Sequence, residues 1–283
     1  MGHPKPKSCP EVGELPDDYA RRLPKNVPAV ERPPTGPAGT TWYFPMALSK
    51  TSPTGVFVPG GFTYPNEVDV ILYFHGNKDG AFQNINQYWH GDYNSITLRE
   101  DLNASGKQAL LVAPTMGYYP GHTLWGNPDL GVFGSSGGGD CFLHHAMAWL
   151  GKYDDGYASR EVVPSVRKIV LAGHSGGGNG IHAQMESMKE RICEIWCFDV
   201  VYGNVSDWID FASRNPTKPM TFYHAVQSSD SFKDLSALKD ATETKKQINL
   251  DHVKLIEAGN HHFPALTNNF RDRVNATTCF ASR

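Results

Sequence analysis

The sequence predicts an α/β domain: a mostly parallel central sheet with helices on both faces and no large cap domain. Three observations point there. Largely apolar runs at residues 68–74, 109–114 and 169–172 have the hydrophobicity of strands covered on both sides. Segments of helical character alternate with them, and that alternation implies parallel crossovers. The length of 283 residues, 40% hydrophobic and 19% charged, suits one sizeable core.

Residues 1–40 hold Pro4, Pro6, Pro10, Pro16, Pro24, Pro28, Pro33, Pro34 and Pro37, which bars a regular helix or a central strand. This stretch reads as an extended arm over the surface or as partly disordered chain, and residues 41–283 as the α/β domain. Residues 41–48 and 55–58 read as an antiparallel edge, separated by the turn chemistry of Ser52-Pro-Thr-Gly55. A buried strand at 68–74 leads into His75-Gly-Asn77. Helical character at 81–102 and a strand at 109–114 follow. A long loop at 115–139 carries Tyr118, Tyr119, His122 and Trp125, and Asp140 can cap a helix over 142–150. Beyond residue 180 come strands at 194–202, 220–226 and 252–258. Helices are expected at 206–212, at 231–247 and after Pro264.

The most informative stretch is residues 166–180. An apolar strand runs into Gly173-His-Ser-Gly-Gly177 and then into a segment of helical character. A strand that reverses sharply into a helix holds its apex residue in a strained backbone conformation, with small neighbours so that the two elements pack closely. This is the G-x-S-x-G pattern that presents a serine nucleophile. Residues 134–138 also satisfy it, with Ser136 at the centre, but Asn127-Pro-Asp-Leu-Gly is no buried strand. Ser136 is therefore read as a loop residue and Ser175 as the nucleophile.

A serine hydroxyl needs a base, and the base needs an acid that fixes its tautomer. In an open α/β sheet such groups gather at the carboxyl ends of strands. The last strand delivers Gly259-Asn-His-His-Phe-Pro264, where His261 is preferred as base over His262. For the acid, Asp199 is preferred over Asp230. Asp199 interrupts an apolar strand end, where an unpaired carboxylate would be costly. Asp230 follows the next strand and doubles as a helix cap. The oxyanion donors are expected to be the amides of Gly176 and Asn77. His75 reads as a structural loop residue, and Tyr118, Tyr119 and Trp125, with Trp89, as candidates to line a pocket.

A net charge of −3 with no basic stripe argues against nucleic acid or an anionic membrane as partner, and no apolar run is long enough to span a bilayer. The five cysteines form no C-x-x-C pair or zinc spacing, and Cys193 and Cys197 read as small apolar filler. His144, His145 and Asp140 do not have metal-ligand spacing, so neither metal nor cofactor is expected. Residues 1–7 lack the apolar core of a secretory signal. The chain is then either intracellular or secreted with its signal already removed. Oligomeric state is not legible.

Tyr73-Phe-His-Gly-Asn77, Gly173-His-Ser-Gly-Gly177, Asp199 or Asp230, and His261 together resemble the α/β-hydrolase superfamily of serine esterases and lipases. The resemblance covers the chain from about residue 41 onward. It implies that fold and an acyl-transfer mechanism on a small-molecule ester, with amide hydrolysis as the alternative and a catalytically silent binding protein as the contrasting class. It does not fix the substrate.

Overall fold

The computed structural model describes residues 9–33, 36–46, 53–76, 84–89, 95–116, 131–134, 136–200, 205–225, 250–259 and 262–283. The strands are β1 (Val30–Glu31), β2 (Gly39–Phe44), β3 (Thr54–Pro59), β4 (Glu67–Phe74), β5 (Leu110–Pro114), β6 (Ser165–His174), β7 (Ile192–Phe198), β8 (Met220–His224) and β9 (Val253–Glu257). They form one nine-stranded sheet in the order β1-β2-β3-β5-β4-β6-β7-β8-β9. Pairing is antiparallel from β1 to β5 along that order. It is parallel from β5 through β4 to β9. The sequence-predicted antiparallel edge and parallel body are both present.

Side chains of successive strand residues point to opposite faces, and β4 shows what covers each. Phe74 meets the ring of Phe133 and the backbone of Gly180, where a Cβ would lie 2.6 Å from the Phe74 ring. Gly180 belongs to α5 (Gly178–Met185), and Phe133 packs on Phe142 of α3 (Gly138–Tyr153). Tyr73, pointing the other way, meets Tyr88 of α1 (Ile85–Tyr88) and Phe270 of α8 (Phe270–Ala276). On this second face α2 (Leu98–Ser105) packs beside α8. Helices therefore cover both faces, and every β4 residue beyond Glu67 is buried. Short helices α4 (Asp155–Ala158), α6 (Val205–Arg214) and α7 (His262–Thr267) complete the described set.

Several elements differ from expectation. Within the helical stretch expected at 81–102, the described residues include α1 and the start of α2, which runs on to Ser105. Helix α3 starts at Gly138, so Asp140 lies in its first turn and pairs with Arg191 instead of capping. The closing helix begins at His262, before Pro264, which proline tolerates in a first turn. Cys193 is not filler: it forms a disulfide with Cys279, while Cys197 is a buried free thiol. The expected polar helix at 231–247 lies outside the described residues.

Described residues of the proline-rich segment lie along α3. Cys9 and Cys141 form a disulfide, and the His145 imidazole hydrogen-bonds the Pro10 carbonyl at 3.2 Å. Lys152 and Tyr153 donate to the carbonyls of Leu15 and Pro16. Tyr19 packs against Phe44, Trp149 and Tyr153 with centroids 4.5–5.8 Å apart. Where the segment joins the sheet, the buried Glu31 accepts from Arg99 at 2.7 Å and from the Tyr43 hydroxyl at 2.6 Å. The Cys9, Cys141 and His145 side chains lie together, but joined sulfurs offer no thiolate to a metal.

Candidate active site

Strand β6 ends at His174, and Ser175–Gly177 make a single 3-10 turn before α5. Ser175 has φ +53°, a left-handed conformation that a serine adopts only when its surroundings enforce it. Here the enforcement is close packing. A Cβ on Gly177 would lie 2.1 Å from the Phe74 carbonyl oxygen, so α5 can approach β4 only with glycine at that position. The segment after β4 also reaches Ser175: a Cβ on Gly76 would lie 3.0 Å from the Ser175 Cβ. Gly176 is buried at the start of the turn. Asn77, the other expected oxyanion donor, lies outside the described residues.

Asp199 follows β7 directly and also has φ +53°. Its side chain is fully buried, its backbone N–H donates to the Tyr223 carbonyl at 2.7 Å, and its Oδ1 accepts from the Ala225 N–H at 3.4 Å. Its Oδ2 lies 2.5 Å from Nδ1 of His262. A carboxylate facing Nδ1 requires the proton on that nitrogen and leaves Nε2 as the proton acceptor. The imidazole that reaches Asp199 is thus that of His262, the residue ranked second from sequence. His261 and Asp230 lie outside the described residues. His262 is the first residue of α7.

Two further histidines pack here. His75 is fully buried; its Nε2 accepts from the Met116 N–H and its Nδ1 faces the Gly76 carbonyl, both at 2.6 Å. It ties the segment after β4 to the one after β5, as a structural loop residue would. His174, next to Ser175, stacks on His262 with centroids 4.3 Å apart and an interplanar angle of 36°. Its Nε2 lies 3.3 Å from the His262 carbonyl oxygen and its Nδ1 3.1 Å from the Tyr88 hydroxyl. Burial, with His262 and His75 nearby, holds its pKa well below the ordinary 6.5. Sequence reading gave His174 no role. Register gave the available signal: it pairs with Phe198 and faces the same side as Ala172 and Tyr73.

Of the other sequence candidates, Ser136 is exposed just before α3 and does not directly follow a described strand. Trp89 belongs to the core: it is fully buried, its Nε1–H donates to the Tyr43 hydroxyl at 2.9 Å, and Arg99 lies over its ring. Tyr118, Tyr119 and Trp125 lie outside the described residues.

The mixed sheet and its covering helices have counterparts among solved structures. It superposes on the feruloyl esterase module from Clostridium thermocellum with TM-score 0.55 at 12% identity, over 94% of this chain and 92% of that one. The chain has the α/β-hydrolase fold. An S-formylglutathione hydrolase from Agrobacterium tumefaciens shares it with TM-score 0.54 at 12% identity, over 85% and 94% of the two chains. So does the fluorophosphonate-binding serine hydrolase FphF from Staphylococcus aureus, with TM-score 0.50 at 13% identity over 84% and 98%. No family model and no curated protein sequence matches the chain. At this identity the α/β-hydrolase fold is what the superpositions establish. Among the described residues no helix is long and apolar enough to cross a membrane.

Proposed function

We propose that the chain is a serine hydrolase that cleaves carboxylic esters of small molecules through an acyl-enzyme. The observation that carries this reading is the buried Asp199 carboxylate on Nδ1 of His262, beside the residue that precedes the strained Ser175. The Ser175 hydroxyl attacks the ester carbonyl while His262 Nε2 takes its proton. Asp199 fixes the tautomer and stabilises the imidazolium. The amides of Gly176 and Asn77 donate to the oxyanion. His262 then protonates the departing alcohol, and water, deprotonated by the same imidazole, releases the acid. These steps require no cofactor. Structural neighbours named as feruloyl esterase and S-formylglutathione hydrolase support acyl chemistry at oxygen or sulfur. The two disulfides favour an oxidising compartment, and so the secreted alternative.

Ser175→Ala should abolish p-nitrophenyl acetate hydrolysis and labelling by a fluorophosphonate probe. Turnover at the wild-type level in that variant would sink the proposal.

A further inference from the structure

We infer that Tyr73, Tyr88 and His174 form a positioning device that holds the main chain of His262 and keeps a neutral imidazole against its ring. The inference rests on the reading of His262 as the base. It arises from the proton count along one buried line. The Tyr73 hydroxyl is 2.9 Å from that of Tyr88, which is 3.1 Å from His174 Nδ1, while His174 Nε2 is 3.3 Å from the His262 carbonyl. A carbonyl oxygen only accepts, so Nε2 must carry the proton. A neutral imidazole then has Nδ1 as an acceptor, and Tyr88 must donate to it. The Tyr88 oxygen is left to accept from Tyr73. The reverse direction would set a bare Nε2 against a carbonyl oxygen, two acceptors face to face. Double protonation would place a buried cation 4.3 Å from the ring that itself becomes charged in turnover. One arrangement satisfies every group.

The groups facing His174 are His75 from the segment after β4, Tyr88 from α1, and His262 and Phe263 from α7. None is an acid. The buried Asp199 carboxylate is engaged by His262 on Nδ1. His174 therefore stays neutral while His262 gains and loses its proton.

The device links the two reacting residues mechanically. His174 is covalently next to Ser175 and holds the main chain of His262, so one hydrogen bond spans the gap between nucleophile strand and base loop. Tyr73 in β4 and Tyr88 in α1 brace that bond from behind. Hydrolysis needs the serine oxygen and Nε2 in hydrogen-bond register, and a misplacement of about 1 Å can reduce turnover about a hundredfold.

The test uses the full chain with p-nitrophenyl acetate and Ser175→Ala as control. His174→Phe keeps a ring but removes the N–H; it should lower kcat about 10–100-fold with KM changed by less than about threefold. His174→Gln, whose amide N–H can reach the carbonyl, should recover to within about threefold of wild type, and Tyr88→Phe should fall between. Nitrogen-15 NMR of histidine-labelled protein supplies a readout independent of activity. His174 should be the neutral Nε2–H tautomer and should not titrate between about pH 5 and 8. Wild-type kcat in His174→Phe, or an Nδ1–H or titrating His174, overturns the inference. If His174→Phe fails to fold, the NMR result decides alone. Activity surviving in Ser175→Ala would instead defeat the proposed function and leave the NMR test of the relay standing.

Discussion

Replacement of Asp199 by asparagine isolates the contribution of one oxygen. The substitution conserves shape, so the Ala225 N–H can still donate to the retained carbonyl oxygen at the Oδ1 position. The loss falls on Oδ2, 2.5 Å from His262 Nδ1. An amide nitrogen there confronts Nδ1–H with another donor, and the imidazole relieves the conflict by moving its proton to Nε2. That nitrogen then cannot accept from Ser175. Tautomer reversal in a serine–histidine–acid site lowers kcat by about 10³–10⁴-fold, or about 4–5.5 kcal/mol at about 1.36 kcal/mol per tenfold. The side chain is fully buried, so solvent offers no substitute acceptor. The assay is steady-state p-nitrophenyl acetate hydrolysis, with far-ultraviolet circular dichroism to verify the fold and Asp230→Asn measured in parallel. A loss below about tenfold in Asp199→Asn, with a larger loss in Asp230→Asn, would refute the assignment and move the acid one strand further on.

Three other outcomes are expected. Gly177→Ala drives a Cβ to 2.1 Å from a backbone oxygen of β4, and should destabilise by about 3 kcal/mol or more by thermal unfolding; an unchanged midpoint would contradict the packing. Paired Cys193→Ser and Cys279→Ser substitutions open a bond across 86 residues, worth about 4–5 kcal/mol in the chain-entropy model, so the midpoint should fall by about 7–8 °C, and non-reducing mass spectrometry should find the bond in the parent protein. His174 has its pKa held well below 6.5, chiefly by burial, so its contribution to stability is complete above about pH 6.5 and is lost as pH falls below it. Wild-type protein should therefore lose more stability than His174→Gln between about pH 7.5 and pH 5, and equal losses would argue against a buried neutral imidazole.

The sheet was legible because β4 and β6 are apolar along nearly their whole buried length, a pattern that only a strand covered on both faces requires. Ser175 was legible for the same reason, since the strand before it and the glycines after it separate it from Ser136. Asp199 stood out as a charge in an apolar strand end. The base was ambiguous because His261 and His262 are adjacent, and the start of α7 is set by packing that sequence spacing does not encode. Cysteine pairing is equally silent in sequence: Cys193 sits in a strand and finds Cys279 only because α8 returns across β7. His174 was missed because, in a Gly-His-Ser string, the histidine reads as a spacer until the β4–β6 register puts it on the same face of the sheet as Tyr73.

Under the proposed mechanism, the placement of Asp199 as the acid follows from that same register. His174 pairs with Phe198, so Ser175 and Asp199 are the next residues on adjacent strands, and both leave the sheet at φ +53°. Serine and carboxylate therefore emerge side by side from β6 and β7, and the imidazole must come to them from β9, across the end of β8. The chain beyond β9 is built for that reach. Gly259 turns at φ +88°, a conformation costly for other residues, and the Ala258 N–H holds to the His224 carbonyl at 2.9 Å. An acid after β8 would shorten the path for histidine but would stand two strands away from the serine. With Asp199, the long side of the triangle is the histidine loop, and this is the segment whose main chain His174 grips at the His262 carbonyl.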